Sequence, residues 1–163
     1  MTYFKSILIL SLVLASIYAC AQGKIEDDNR MKKEIRTAVP IIDSLQLKIT
    51  VGDNVLYAEF KSNKTADDFI KLLPITLLMQ DLNGREKYSS LSEVLSKKDG
   101  IKTTFEDGEI AYWLGGGLAV FYHQDNSTIK AGLITIAKLK DGKEYFKGSD
   151  NIKVKFEAVR KNQ

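Results

Sequence analysis

The chain has 163 residues, with 24 Lys and Arg against 21 Asp and Glu, one histidine, one cysteine and two prolines. Hydrophobic content of 44% and charged content of 28% match a soluble globular protein, so the length allows one domain with a tail and excludes a multidomain machine. A net charge of +3 spread over both signs argues against nucleic acid as a partner, and a lone cysteine excludes a disulfide framework or a thiolate zinc cluster within one chain.

The chain opens with MTYFKSILILSLVLASIYA, in which Lys5 is followed by an uncharged run from Ser6 to Ala19. A membrane-spanning helix needs roughly 20 apolar residues, so this run has the dimensions of a signal-peptide core instead. Ile17-Tyr18-Ala19-Cys20 resembles the lipobox of bacterial lipoproteins, which implies cleavage before Cys20 and lipid attachment to its sulfur. Tyr18 is bulkier than that pattern favours. Ala19-Cys20-Ala21 also satisfies the small-x-small rule for ordinary secretory cleavage, which would release a soluble protein beginning at Gln22. The lipobox reading explains why the lone cysteine sits directly after the apolar run. Under it the protein is held on a membrane by acyl chains, each buried CH₂ contributing about 0.8 kcal/mol. Its expected location is then the bacterial cell envelope, as an outer-membrane lipoprotein on the periplasmic or surface face. Residues 20–40 are of mixed charge with no aromatic side chain and read as a tether, and Pro40 marks the boundary of a folded domain over 41–163.

Beyond Pro40 the pattern changes. Leu45, Leu47, Ile49 and Val51 alternate with polar residues, Gly52-Asp53-Asn54 reads as a turn, and Val55 to Phe60 alternates again, which predicts a hairpin. Asn63 or Thr65 caps a short helix whose buried stripe is Phe69, Leu72 and Leu73, stopped by Pro74. Ile75 to Leu82 and Glu86 to Ser89 flank Asn83-Gly84, a strong hairpin signal. Leu91 to Leu95 reads as a helical turn and Lys97 to Lys102 as a polar loop. Glu109 to Leu114 and Leu118 to Tyr122 are strands joined through Gly115-Gly116-Gly117. Leu133 to Leu139 and Ile152 to Val159 are further strands, with a helical turn expected between Asp141 and Phe146. About eight short strands with one or two short helices predict a mainly β fold, a closed barrel or sandwich.

The series Asn63-x-Thr65-Ala66-x-x-Phe69, Leu73-Pro74-Ile75-Thr76-Leu77-x-Met79-x-Asp81 and Gly84-x-Glu86-Lys87 resembles the bacterial cyclophilin-like domain family. Asp107-Gly108-Glu109-Ile110-Ala111-Tyr112-Trp113, Gly117-Leu118-Ala119-Val120-Phe121-Tyr122 and Gly132-Leu133-Ile134 extend the likeness in the same order. The resemblance implies an eight-stranded β-barrel flanked by helices, in a family that largely lacks an assigned activity. It also raises prolyl isomerisation. True cyclophilins carry an Arg shortly before Phe-Met-x-Gln, whereas Arg85 is followed here by Glu-Lys-Tyr, and no such stretch exists. Isomerisation needs a donor to stabilise the twisted amide, so no catalytic residue is carried over.

Other chemistry is thinly supported. His123 is the only histidine, so there is no His pair for a metal site, and no nucleophile elbow accompanies it. Gly115-Gly116-Gly117 lacks the Lys-Ser/Thr of a phosphate loop. Glu106, Asp107 and Glu109 flank a turn and read as solvating it. Nothing in the sequence requires a cofactor or a metal. The candidate ligand groove is aromatic: Tyr112, Trp113, Phe121 and Tyr122, with His123 beside them. Alternation sends Tyr112 and Trp113 to opposite faces, and Phe121 and Tyr122 likewise, so some of the four belong to the core. Trp113, Phe121 and His123 would line a groove for a peptide or small apolar ligand. Arg85, Glu86 and Lys87 form a weaker polar candidate, read first as a salt-bridged turn. The sequence reading is a lipid-anchored, non-catalytic binding module, with a divergent peptidyl-prolyl isomerase as the alternative.

Overall fold

The alternating segments become eight antiparallel strands in a computed structural model that describes residues 41–161. The signal segment 1–19, Cys20 and the tether 20–40 lie outside the described residues. A single 3₁₀ turn, Ile41–Ser44, leads into β1 (Leu45–Val51) and β2 (Asn54–Phe60). Helix α1 (Lys64–Ile70) follows, then the hairpin of β3 (Ile75–Leu82) and β4 (Glu86–Ser90). A long irregular segment precedes β5 (Glu109–Trp113) and β6 (Gly117–Phe121). β7 (Leu133–Leu139), a 3₁₀ turn at Lys143–Phe146 and β8 (Ile152–Arg160) complete the domain. The strands close into a barrel in the order β1-β2-β7-β5-β6-β4-β3-β8, the fold class that the alternation and the resemblance imply.

Local chemistry accounts for the corners. Asn83 and Gly84 both take positive φ, as a tight turn matched to strand twist requires, and the Asp81 carboxylate accepts from the Gly84 amide at 2.9 Å. Asn63 is the helix cap, its Oδ1 accepting from Ala66 N at 2.8 Å. Its Nδ2 donates to the Thr135 carbonyl, which ties α1 to β7.

The barrel interior is filled by one side of each strand. Leu47, Ile49, Leu77, Met79, Ile110, Tyr112, Leu118, Val120, Val154 and Phe156 are all buried, and Phe69 of α1 meets Phe156 edge-on at 6.2 Å. The Tyr112 hydroxyl lies within this core with no hydrogen-bond partner. An orphaned buried hydroxyl carries its desolvation cost uncompensated, so Tyr112→Phe is expected to raise stability by about 1 kcal/mol or leave it unchanged. Urea unfolding of the variant checks this, and a loss above that size would mean that the hydroxyl is paired in solution.

Several sequence expectations give way. Leu91 to Leu95 is irregular, not a helical turn, because its groups bond elsewhere. Leu91 N donates to the Gly116 carbonyl, Ser96 N donates to the Asp68 carboxylate, and Leu95 is buried in the core. Glu109 does not solvate its turn. It is buried, takes both contacts of the Lys102 ammonium at 2.6 and 2.7 Å, and accepts from the Glu106 amide. Lys102 itself leaves the polar loop to bridge Leu133. Gly117 belongs to β6, which shortens the glycine connection by one residue.

Asp99 fastens the irregular segment to α1. Its carboxylate accepts from the Thr65 hydroxyl at 2.6 Å, the Thr65 amide at 2.7 Å and the Lys64 amide at 3.2 Å. The Thr65 hydroxyl bond, with the two amides, holds this carboxyl below its ordinary range against a smaller effect of burial. A depressed carboxyl contributes stability above its unfolded pKa and loses it as pH falls through the folded one. Acidification below about pH 4 is therefore expected to loosen residues 91–100. Asp99→Asn should do the same at neutral pH, at about 1–2 kcal/mol. Hydrogen exchange at the Thr65 and Ser96 amides reports both. Unchanged protection in the variant would show that the segment is held by its leucines alone.

Candidate functional site

The outward rows of β4, β6 and β5 meet in register. Glu86 lies opposite Phe121, Tyr88 opposite Ala119, and Ser90 opposite Gly117, which in turn pairs with Trp113. A second, smaller apolar cluster forms on this outer face from Phe105, Ala111, Ala119, Phe121 and Leu133, with Trp113 and Ile129 packed against it. Phe105 and Ile129 come from the two connections that cross the face. Ile129 and the outward strand residues line a cavity of about 320 Å³.

Its walls are aromatic and aliphatic: Tyr88, Trp113, Phe121, Ala119, Leu133 and Ile129. Tyr88 and Trp113 meet edge-to-face with ring centres 5.2 Å apart. Glycine makes room for both, since a Cβ added at Gly117 would collide with the Tyr88 ring and one at Gly115 would press to 3.1 Å from Trp113. Phe121 stacks on Phe105 at 4.2 Å, with the Arg85 guanidinium 5.7 Å from the Phe105 ring centre.

The polar lining of the cavity is Arg85 and Glu86, with Asn83, Thr128 and Lys130. Arg85 Nε donates to Glu86 Oε2 at 2.5 Å and Nη2 reaches Oε1 at 3.4 Å. Nη1 donates to the Ser127 hydroxyl at 2.6 Å and lies 3.7 Å from Asp125. Both side chains are largely withdrawn from solvent, 14% and 7% exposed. Burial pushes the Glu86 carboxyl above its ordinary range, against the pull of Arg85. Glu86 in turn raises Arg85. A carboxyl shifted by desolvation beside a specific charge partner, inside a cleft, has the physical marks of a functional position.

The five aromatic and histidine candidates divide. Trp113 and Phe121 share the cavity. Tyr112 does not reach it, because alternation along β5 turns it into the barrel core. Tyr122 also faces inward, donating its hydroxyl to Asp81. His123 is exposed and opens onto a separate depression with Asp81, Tyr122, Lys147 and Ser149. The amides of Tyr122 and His123 both donate to the Arg85 carbonyl, which breaks the alternation just past β6 and carries His123 away from Phe121. Arg85 and Glu86, the weaker candidate in the sequence, stand in the cavity. Tyr88 carried no sequence signal beyond strand alternation, and Ala119 and Leu133 none that marked them as site residues. Only the pairing of β4 with β6, strands distant in the chain, brings Tyr88 to the site.

Among the described residues no group of three or more His, Cys, Asp or Glu is placed to hold a metal ion. Among the same residues no helix is long and apolar enough to cross a membrane.

Comparison with known proteins gives a family and a fold. The family model of the cyclophilin-like family matches residues 49–157. The solution structure of a hypothetical protein from Archaeoglobus fulgidus superposes with a TM-score of 0.58 at 19% identity. The match covers 71% of this chain and 95% of that one. At that identity the likeness speaks to the fold. A search of the curated proteins finds no match.

Proposed function

The chain belongs to the cyclophilin-like family, and from that premise we propose that it is a binding module whose ligand enters the outer cavity beside Trp113. The observation that carries this reading is the cavity itself, apolar on most sides and closed at one edge by a desolvated Arg85–Glu86 pair. Ligand sites are commonly apolar concavities with a few placed polar groups, and about 300 Å³ is the lower end of their range. The occupant is a small apolar molecule or one side chain of a peptide. In the same reading Cys20 carries lipid and residues 20–40 tether the barrel in a bacterial cell envelope, as the order of apolar run, cysteine and mixed-charge segment supports. Intact mass of the mature protein tests the anchor, with a lipidated Cys20 expected and a soluble chain starting at Gln22 refuting it.

Trp113 is the sole tryptophan, so its emission reports the cavity directly. A panel of short peptides and small aromatic compounds is expected to include members that shift or quench it saturably. Saturable binding that is unchanged in Trp113→Ala would place the ligand elsewhere.

The second reading is a divergent peptidyl-prolyl isomerase, favoured by the presence of an arginine in the aromatic cavity. Against it, the Arg85 donors are turned to Glu86 and Ser127, and a catalytic donor has to meet the twisting amide. A proline-isomerisation assay on a peptide separates the two, and the binding reading expects no rate enhancement.

A further inference from the structure

We propose that the cavity selects a neutral planar ligand that carries a primary amide or lactam, docked edge-on against Arg85 and Glu86. The inference rests on the binding reading above and names its ligand class.

Charge sets the first restriction. Arg85 and Glu86 neutralise each other within the wall, and Asp125 stands 3.7 Å from the guanidinium on its other side. A ligand carboxylate would meet Glu86, with the guanidinium already shared between Glu86 and Asp125. A ligand ammonium would meet Arg85. With both side chains largely withdrawn from water, an uncompensated ligand charge is costly in either sign. Lys130 at the cavity margin is exposed and screened.

Hydrogen bonding sets the second. A guanidinium has five N–H donors and a carboxylate about four acceptor positions. The contacts to Glu86 and Ser127 use three of the donors, and the pair consumes two of the acceptor positions. Both donor and acceptor capacity therefore remain on two adjacent side chains that line the cavity. A primary amide or a lactam presents a carbonyl and an N–H on the same side, the matching arrangement. A trans peptide unit points them in opposite directions and can satisfy one at most.

Shape sets the third. Tyr88, Trp113 and Phe121 provide aromatic surface, and about 320 Å³ suits a ring-sized body rather than a long chain.

The test uses three probes of one shape on the isotope-labelled protein: benzamide, benzoate and acetophenone. The single indole N–H resonance of Trp113 and the amides of Ala119 and Phe121 report occupancy. Benzamide is expected to bind at least tenfold more tightly than either of the others. Benzoate at or above benzamide overturns the charge argument. Acetophenone equal to benzamide overturns the amide edge while leaving the cavity a binding site. No shift with any probe overturns both the amide inference and its use for small aromatic ligands. Glu86→Gln leaves Arg85 with only the more distant Asp125 as counter-charge and is expected to invert the order, with benzoate gaining at least tenfold over benzamide. An unchanged order in that variant counts against the pair as the selecting element.

Discussion

Replacing Lys87 with Met is expected to lower the unfolding free energy by about 3 kcal/mol, as breaking a buried ion pair does. Lys87 is fully buried, and it lies opposite Val120 on the interior face of β4. Its ammonium donates to the carbonyls of Gly148 and Asp150, at 2.5 and 2.7 Å, and meets the Asp81 carboxylate at 3.3 Å. Two carbonyls thus accept hydrogen bonds from the cation and a carboxylate pairs with its charge, where the β3–β4 hairpin meets the connection into β8. Methionine fills much of the volume but leaves two carbonyls unpaired and removes the counter-charge of Asp81. Asp81 would keep the Tyr122 hydroxyl and the Gly84 amide, which limits the damage. Burial of Asp81 works against ionisation, yet these bonds together with Lys87 hold its carboxyl below the ordinary range. The stability that they contribute is present above the unfolded pKa and falls away as pH drops through the folded one, so part of the penalty should fade in acid. Urea unfolding at pH 7 and pH 3 measures both. A loss under 1 kcal/mol at pH 7 would mean that water reaches those carbonyls and that the ammonium is no lock.

Lys87 also shows where reading the sequence stops. Its neighbours Arg85 and Glu86 suggested a charged turn, and lysine is rarely buried unless paired. Its carbonyl partners lie 61 and 63 residues away, in a segment that reads as loop. The same holds for Glu109, whose partner Lys102 stands in what reads as a polar linker. The strands were legible because each carries its own alternation, and the β3–β4 corner because Asn83-Gly84 encodes positive φ locally. The helix was legible through Asn63, whose cap bond spans three residues. What stayed hidden is non-local. Alternation shows that Trp113 and Phe121 face away from Tyr112 and Tyr122. It does not show that β4 inserts beside β6 and lays Glu86 against Phe121. His123 was misplaced for a local reason, the double acceptance at the Arg85 carbonyl that ends the strand's alternation one residue before it.

Phe121→Ala carries the other large effect, a stability loss of about 3–4 kcal/mol, and it separates structural from ligand-binding work at the cavity. Phe121 is 1% exposed and stacks on Phe105, which is how the outer connection is held down on β6. Truncation removes the stack and opens the space into the existing cavity. Water can then enter, so the cost should sit toward the lower end of the range for buried phenylalanines. Phe121→Leu returns most of the volume and should recover more than half of the loss, without restoring a flat aromatic surface. Trp113 is only half-buried, and its indole N–H is buried without a partner. Trp113→Phe removes that unpaired donor and should therefore cost far less than Phe121→Ala. Urea unfolding of the three variants, paired with titration of an aromatic probe followed by amide resonances, gives two orderings. If the cavity binds aromatic ligands, Phe121→Leu retains stability but loses affinity, and Trp113→Phe retains most of both. If affinity instead follows stability across all three, Phe121 acts only as a core residue. Ligand contact would then have to come from Tyr88 and Trp113, the two rings whose positions depend on glycine rather than on the Phe105 stack.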